Sequence, residues 1–347
     1  MEKDISLTMD TVAWLLEKKD PDVRAMALRY LLGRSADDPE YLESLHQAHR
    51  HGPIAQILEA MQPEGYWVRP GAGYNPKYRS TVWSVILLAQ LGANINADER
   101  VKVACSYLMD HMANGGQFST QSVGSPSGTV DCLQGNLLWA LLQLGYEDER
   151  LAKAIDWLAR SQTGDGIAPK EDRTSTLRYY AYKSGPDFQC GVNERQPCAW
   201  GAVKVMLALG MLPAKLQTEQ TERAKKFGLE FLLGRDPSEA KYPTTNNQKP
   251  SRNWWKFGFP VFYITDLLQL VQAAQDCGAG TDPRLANALD VIQQKQSADG
   301  RWILEFDYSG KTWCDFGEKK KPNKYVTLRA LRVLKNASNN LNSSRNT

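Results

Sequence analysis

The sequence predicts an all-α protein in which helical hairpins close into a ring of inner and outer helices. Three glutamine-to-glycine segments follow apolar helical stripes: they begin at Gln62, Gln162 and Gln296 and reach their glycines at positions 65, 166 and 300. Two kinds of helix alternate along the chain, and the alternation of apolar and polar residues that is typical of strands is rare. A helix-and-turn unit that recurs in this way indicates a repeat architecture.

The first kind of helix is amphipathic and begins close to an acidic or hydroxyl-bearing capping residue. We expect these helices at residues 98–112, 148–162, 221–234 and 282–296. Capping residues and an acidic first turn stabilise the start of a helix that has one face in water. We therefore assign these helices to the outer layer.

The second kind of helix is apolar on every side, which is typical of a buried helix. We expect these inner helices at residues 81–91, 132–144, 198–209, 261–274 and 325–334. Long, aromatic-rich loops precede them, so the loops should lie together at one end of the ring. We expect the mouth of a central cavity at that end.

The domain prediction is a single unit over residues 1–336, in which two short helices within residues 1–50 complete the ring. Residues 337–347 are polar and are expected to form a disordered tail.

Composition excludes several classes of partner. The chain has 347 residues and a net charge of +3, which is too small to indicate a nucleic-acid partner. It has no apolar run of the ~20 residues that a transmembrane helix needs and no signal peptide. We therefore expect a cytoplasmic protein, in which the six cysteines are thiols or metal ligands rather than disulfides.

The glutamine segments resemble the QW-type repeats of squalene and terpene cyclases. With the alternating helices, they make residues 50–336 similar to the α/α-toroid superfamily, which also contains protein prenyltransferase β subunits, and to a prenyltransferase-like bacterial branch of it. The resemblance implies an α/α toroid of about six hairpins with an apolar central cavity. It also implies a transferase or cyclase that acts on an isoprenoid or another hydrophobic substrate.

The chain departs from the characterised members of that superfamily. It lacks the Asp-x-Asp-Asp motif with which class II cyclases protonate an alkene. Protein prenyltransferases bind zinc through an Asp-x-Cys motif and a later histidine, whereas Asp131 and Cys132 are adjacent here and no expected inner helix contains histidine. These departures put protonation-initiated cyclisation in doubt.

A zinc site is nevertheless one hypothesis for the cysteines. Asp131 and Cys132 open one inner helix, while Cys190 and Cys198 flank the start of the next. Three thiolates and a carboxylate suit the tetrahedral coordination of zinc. The alternative is a group of small buried thiols without a metal. No phosphate-binding loop is present, so we expect no nucleotide cofactor.

Polar and aromatic residues on or beside the inner helices complete the predicted site. Asp131 and Asp266 are the candidate catalytic residues, and Lys204 with Arg329 is a candidate site for an anionic group. Aromatic rings in such a cavity stabilise carbocations through their π faces. The alternative is that these residues form internal salt bridges and core packing. The candidate substrate-binding residues are Arg79, Trp83, Asn136, Trp200, Lys204, Trp255, Phe262, Lys324 and Arg329.

Two functions remain open at this stage. The first is a prenyltransferase- or cyclase-like enzyme with a hydrophobic small-molecule substrate. The second is a non-catalytic toroid that binds a lipid or pairs with a protein partner. Ionisable residues on the inner helices favour the enzyme, whereas an exposed apolar outer wall would favour the partner-binding function.

Overall fold

The computed structural model describes residues 8–120, 128–180, 183–245 and 249–345, with side chains described as far as residue 339. Within these ranges the chain forms thirteen α-helices and three short strands. The helices are α1 (Met9–Leu15), α2 (Pro21–Tyr30), α3 (Pro39–Arg50), α4 (Pro53–Glu59), α5 (Thr81–Gln90), α6 (Glu99–Asp110), α7 (Asp131–Gln143), α8 (Arg150–Thr163), α9 (Ala199–Gly210), α10 (Glu219–Leu233), α11 (Leu267–Asp276), α12 (Ala286–Gln294) and α13 (Lys324–Arg345).

The three strands form a small antiparallel sheet before α9. They are β1 (Ser184–Gly185), β2 (Gln189–Cys190) and β3 (Gln196–Pro197), which pair in that order. A 3₁₀ turn at Gly191–Asn193 connects β2 to the segment before β3.

Six helices form the inner layer of a ring. Helices α5, α7, α9, α11 and α13 pack side by side in that order, and α2 packs on α13. A Cβ atom placed on Gly92, just after α5, would lie 2.9 Å from Met26 of α2, so α2 also reaches the first inner helix. Helices α6, α8, α10 and α12 each pack outside the inner helix that precedes them. The fold is an α/α toroid, which confirms the predicted fold class.

The inner helices run parallel. A Cβ atom placed on Gly201, near the start of α9, would lie 3.3 Å from the Cβ atom of Asp131 at the start of α7. At the other end of α9, a Cβ atom on Gly210 would lie 2.8 Å from the Cβ atom of Asp276 at the end of α11. The N-termini of neighbouring inner helices therefore lie together, and so do their C-termini. The long loops lie at the end of the ring where the inner helices begin.

Two of the four outer helices, α6 and α10, begin at capping residues of the expected kind. The Asp98 carboxylate accepts a hydrogen bond from the backbone N–H of Arg100 at the start of α6. Thr218 and Thr221 form a reciprocal capping box at the start of α10. Each bond satisfies a backbone N–H that the first helical turn leaves without a partner.

Two helix boundaries differ from the prediction. An inner helix was expected to begin at residue 261, but α11 begins at Leu267 and Asp266 is its N-cap. The preceding segment is held out of the helix because the Gln90 carboxamide bonds both the N–H and the C=O of Val261, at 2.8 and 2.6 Å. At the other end of the chain, α13 continues through residues 337–345, where we expected a disordered tail.

Two of the three predicted turns, those that follow Gln62 and Gln296, have a common geometry, whereas the turn after Gln162 is a left-handed helix cap at Gly164. The indole N–H of Trp67 donates to the C=O of Ile57 at 2.7 Å, and that of Trp302 donates to the C=O of Ile292 at 2.8 Å. The backbone N–H of each tryptophan donates to a threonine hydroxyl on the following inner helix. The segment before Phe118 forms the same turn, although it lacks the glutamine and the tryptophan. The turn is thus defined by backbone geometry more than by its sequence.

Salt bridges join the last inner helix to the N-terminal helices. The Lys324 ammonium contacts the carboxylates of Glu17 and Asp20 at 2.7 and 2.6 Å, and the Tyr325 hydroxyl donates to Asp22 at 2.6 Å. Lys324 was predicted to bind substrate from an inner helix. It lies at the first position of α13, and its salt bridges join the last inner helix to the N-terminal helices.

The closest contact between inner helices lies between α7 and α9 and depends on Gly135. A Cβ atom at this position would lie 2.3–2.5 Å from backbone atoms of Lys204 and Val205. Only a residue without a side chain allows the two backbones to approach in this way.

No helix in the described part of the chain is long and apolar enough to cross a membrane.

We predict that Gly135→Ala lowers the free energy of unfolding by about 1–3 kcal/mol, because the added methyl group meets backbone that cannot move alone. Gly201→Ala is the matched control in the same helix pair, since its nearest contact is an ordinary side-chain atom at 3.3 Å. There the gain in helix propensity of about 1 kcal/mol should offset mild crowding. Urea denaturation of both variants is the measurement, and equal effects would contradict the proposed backbone contact.

Candidate functional site

Charged and polar side chains from different inner helices meet inside the ring. The Arg329 guanidinium contacts the Asp266 carboxylate at 2.8 and 2.9 Å and also donates to the C=O of Gly258. Asp266 in turn accepts the N–H of Gln269 at 2.9 Å. Both oxygens of this carboxylate have hydrogen-bond partners. Asp266 therefore forms a structural ion pair with Arg329 instead of presenting a carboxyl group to a substrate.

Lys204 is fully buried in the middle of α9. Its ammonium donates to the carboxamide oxygen of Gln269 at 2.6 Å. Burial lowers the pKa of Lys204 to about 7, because the charged form loses its hydration, while nearby Asp266 opposes the shift. The inner helices therefore hold a lysine that is partly neutral at physiological pH. Asn136, the other polar candidate here, donates to the C=O of Phe262 at 3.1 Å.

The central cavity is small and lies near the C-terminal ends of the inner helices, not at the long-loop end where its mouth was expected. It has about 70 Å³ of free volume. Its wall combines apolar residues such as Trp139 and Leu207 with the polar side chains of Gln269 and Arg329. Sites for drug-sized ligands have volumes of about 300–1,000 Å³, so this cavity is too small for an isoprenoid chain.

Packed aromatic rings fill the long-loop end of the ring. Trp83 and Phe262 are fully buried and meet edge to face at 5.3 Å between ring centroids. Tyr78 stacks on Phe262 at 5.1 Å, and Tyr308 lies 4.4 Å from Tyr78. Trp83 and Phe262 were candidate substrate-binding residues, and the structure places them in this cluster.

Two thiols are in hydrogen-bond contact at the start of α9. Cys190 ends β2, and Cys198 is the N-cap residue of α9. The Cys198 thiol donates to the Cys190 sulfur, and this bond lowers the pKa of Cys190 to about 6, helped by the backbone N–H groups of Val192 and Asn193. The same contact and burial raise the pKa of Cys198. The contact therefore favours the thiolate form of Cys190 and the protonated form of Cys198.

This thiol pair opens into a pocket of about 300 Å³, which we call the thiol pocket. Three aromatic and two proline side chains contribute to its wall, together with both thiols. The pocket is lined by Cys190, Val192, Asn193, Cys198, Ala199, Trp200, Ala240, Tyr242, Pro243, Thr244, Pro250, Ser251 and Trp254. The sequence predicted Trp200 as a binding residue and placed Trp254 in a loop at the expected end of the ring, but it missed Tyr242, whose loop position carries no periodic signal.

The backbone around the thiols is strained. Asp187, Phe188, Glu194 and Arg195, which flank Cys190, all have positive φ values, between 50° and 62°. Non-glycine residues adopt this region at a cost, and such residues cluster at functional sites. The strain is consistent with a segment whose geometry is set by the position of the Cys190 sulfur.

Asp131 and Cys132 lie next to the thiol pocket but do not line it. Asp131 is buried against Gln162 of α8, and burial raises its pKa to about 8. Burial also raises the pKa of Cys132 to about 12, while nearby Lys204 opposes the shift. At neutral pH Asp131 is therefore mostly protonated, and Cys132 is a neutral thiol.

The proposed zinc ligands do not converge on one point. Across residues 8–120, 128–180, 183–245 and 249–345, no three histidine, cysteine or acidic side chains are grouped so as to hold a metal ion. The thiols of Cys190 and Cys198 are hydrogen-bonded to each other, and the Asp131 carboxyl group lies against Gln162. No step below depends on a metal.

Two further predicted binding residues lie outside the ring interior. Arg79 is exposed before α5, where its guanidinium donates to the C=O of Thr312 at 3.1 Å and lies over the ring of Trp313. Trp255 donates its indole N–H to the C=O of Ser238 at 2.6 Å. Both side chains hold loops in place. Arg79 was expected on a buried inner helix but precedes α5, whereas Trp255 lies in a loop as expected and lines a separate surface pocket.

The solved structures described below are similar to this chain in fold alone. No protein-family model and no curated protein matches it. Among solved structures, an unsaturated glucuronyl hydrolase specific for heparin is 10% identical over 94% of this chain and 86% of its own, with a TM-score of 0.50. A protein from Actinoplanes is 13% identical over 93% and 90%, with a TM-score of 0.43.

A type II terpene cyclase from Scytonema is 15% identical over 86% of this chain and 98% of its own, with a TM-score of 0.30. Identities this low carry no information about the reaction. The likeness to the glucuronyl hydrolase agrees with the α/α-toroid fold.

We predict that replacing Lys204 changes how stability depends on pH. Its pKa is about 7 in the folded chain and 10.5 otherwise, so the charged lysine destabilises the fold fully below pH 7 and progressively less up to pH 10.5. Lys204→Met should therefore stabilise the protein by roughly 2–5 kcal/mol at pH 6, and the gain should shrink at pH 9. Adding Gln269→Leu avoids leaving an unpaired carboxamide.

Asp131→Asn is the control of opposite sign. Because the folded pKa of Asp131 is about 8 and the ordinary value is 3.8, its ionisation destabilises the fold increasingly as pH rises from 3.8 to 8. Its stabilising effect should therefore be small at pH 5 and larger at pH 9. Denaturation curves at three pH values measure both slopes, and pH-independent effects would show that neither group has the assigned pKa.

Proposed function

We propose that this chain is an enzyme that holds an apolar substrate in the thiol pocket and uses the Cys190 thiolate as its reactive group. The observation that supports this most directly is the contact between Cys190 and Cys198 at the wall of an aromatic-lined pocket. A pocket of this volume and lining suits a mainly hydrophobic ligand. The resemblance to QW-type repeats makes an isoprenoid the first candidate substrate.

The arrangement supports nucleophilic catalysis. The Cys190 sulfur would form a bond to an electrophilic carbon of the substrate while the bond to the leaving group breaks. The Cys198 thiol, which donates to the attacking sulfur, is placed to return a proton to the leaving group. Trp200 and Trp254 at the wall would hold the apolar part of the substrate.

The non-catalytic lipid- or protein-binding toroid is the second candidate. It shares the thiol pocket as the ligand site but requires no reactive thiolate. The two functions therefore differ in the behaviour of Cys190 and not in affinity for the ligand.

We predict that iodoacetamide alkylates Cys190 with a midpoint near pH 6. In Cys198→Ala the midpoint should rise, because the strongest hydrogen bond to the thiolate is lost. Cys105 serves as the internal control, since it is fully buried and burial raises its pKa. Peptide mass spectrometry after timed alkylation gives both rates. A Cys190 midpoint near the ordinary thiol value of about 8.5 would contradict the proposed thiolate.

Substrate class is tested by protection of Cys190 from alkylation. Farnesol should slow the reaction about ten-fold at ten times its dissociation constant, whereas glucuronic acid should not. Val192→Trp, which adds bulk at an exposed position on the pocket rim, should remove the protection while leaving the fold intact. Protection by the sugar acid alone would overturn the apolar substrate, and protection by farnesol of a Cys190 that alkylates no faster than an ordinary thiol would favour the second candidate.

Zinc coordinated by Asp131, Cys132, Cys190 and Cys198 stays a prediction. Elemental analysis of untagged protein tests it directly. One zinc per chain that is lost in Cys132→Ala would support the metal site, whereas zinc-free protein with a reactive Cys190 would support the metal-free thiol.

A further inference from the structure

Three aromatic rings converge on the ammonium group of Lys77. The Nζ atom lies 5.1 Å from the ring centroid of Tyr74, 5.9 Å from that of Trp83 and 5.4 Å from that of Tyr263. Distances within about 6 Å of a ring centroid are those of cation–π interactions. The three rings, which we call the aromatic cage, line no part of the thiol pocket.

The walls of the aromatic cage are held in place independently of Lys77. Trp83 is fully buried in α5, and its indole N–H donates to the C=O of Tyr74 at 2.7 Å. The Tyr74 and Tyr263 rings lie 5.3 and 5.2 Å from the Trp83 ring, and the Trp83 and Tyr263 planes are nearly perpendicular at 85°. The rings of Tyr74, Trp83 and Tyr263 are therefore held in position around the place that the Lys77 ammonium occupies.

The Lys77 side chain is less constrained than the three rings of the aromatic cage. Lys77 lies in the loop before α5 and its side chain is exposed. Among the residues that the structure describes, its ammonium has ring contacts but no carboxylate within salt-bridge distance. A long, exposed side chain can leave such a position by rotation about its own bonds.

The chemistry of the aromatic cage suits a different cation better than it suits lysine. A primary ammonium carries three N–H donors and is strongly hydrated. The three ring faces offer negative potential but no lone pairs of the kind that N–H groups require. A methylated ammonium has apolar methyl groups in place of these donors, so it gains the same attraction and loses less hydration.

We propose that Tyr74, Trp83 and Tyr263 form a binding site for a small methylated ammonium ion, and that Lys77 occupies this site when no ligand is present. Binding requires the lysine side chain to move away. The measured affinity of the native protein is then reduced by the fraction of time for which Lys77 fills the aromatic cage.

The test is titration of the full chain with tetramethylammonium chloride, followed by tryptophan fluorescence and calorimetry, at an ionic strength held constant with sodium chloride. Lys77→Ala should bind the ion about ten-fold more tightly than the native protein. Lys311→Ala, which removes another exposed lysine, should bind like the native protein. Lys77→Ser is a second variant with the same expected result, and circular dichroism verifies its fold.

Two further measurements separate a cation site from an apolar hole. In the Lys77→Ala background, Tyr263→Leu should abolish binding, whereas Tyr263→Phe should retain it because the ring face is preserved. The neutral analogue tert-butanol, which has a similar shape, should not compete. Equal affinity of the native and Lys77→Ala proteins, or competition by tert-butanol, would overturn the proposal.

Discussion

The backbone contact between α7 and α9 is the constraint on which the site depends. Because Gly135 has no side chain, the two helices approach until a single carbon atom would not fit between them. That approach places the start of α7, with Asp131 and Cys132, beside Cys198 and Gly201 at the start of α9. The same contact buries Lys204 in the interior. A slightly wider spacing would admit water and return ordinary pKa values to these groups.

The ring interior is polar to a degree that a purely structural core would not require. Lys204 and the Asp266–Arg329 pair lose hydration and have specific partners in place of water. Asp131 is also buried, but its Oδ1 atom has no hydrogen-bond partner among the described residues. Burial of ionisable groups costs free energy even when they are paired. Two of the groups, Lys204 and Asp131, respond by shifting their pKa values towards neutrality, so small changes in their surroundings alter their charge.

The two ends of the toroid differ in character. At the end where the inner helices begin, loops supply the thiol pocket and the aromatic cage, and packed rings close the axis between them. At the opposite end, a small cavity has glutamine and arginine side chains in its wall. This division favours chemistry in the loops over chemistry on the axis. A rigid ring of helices that presents functional loops at one end is a common arrangement, because loops tolerate the irregular backbone that sites need.

The sequence by itself determined the architecture, since the alternation of amphipathic and all-apolar helices depends only on which faces meet water. It drew attention to Cys190 and Cys198 as zinc ligands and to Trp200 as a binding residue, because uncommon residues at helix starts stand out without coordinates, and these roles stay predictions. It misplaced Arg79 and Lys324, whose partners lie more than 230 residues away along the chain. The tertiary structure alone decided that the Cys198 thiol contacts Cys190, that Lys204 loses its water, and that Tyr74, Trp83 and Tyr263 meet beside the Lys77 ammonium. Such facts depend on the distance between residues that are remote in sequence, and helical periodicity carries no information about that distance.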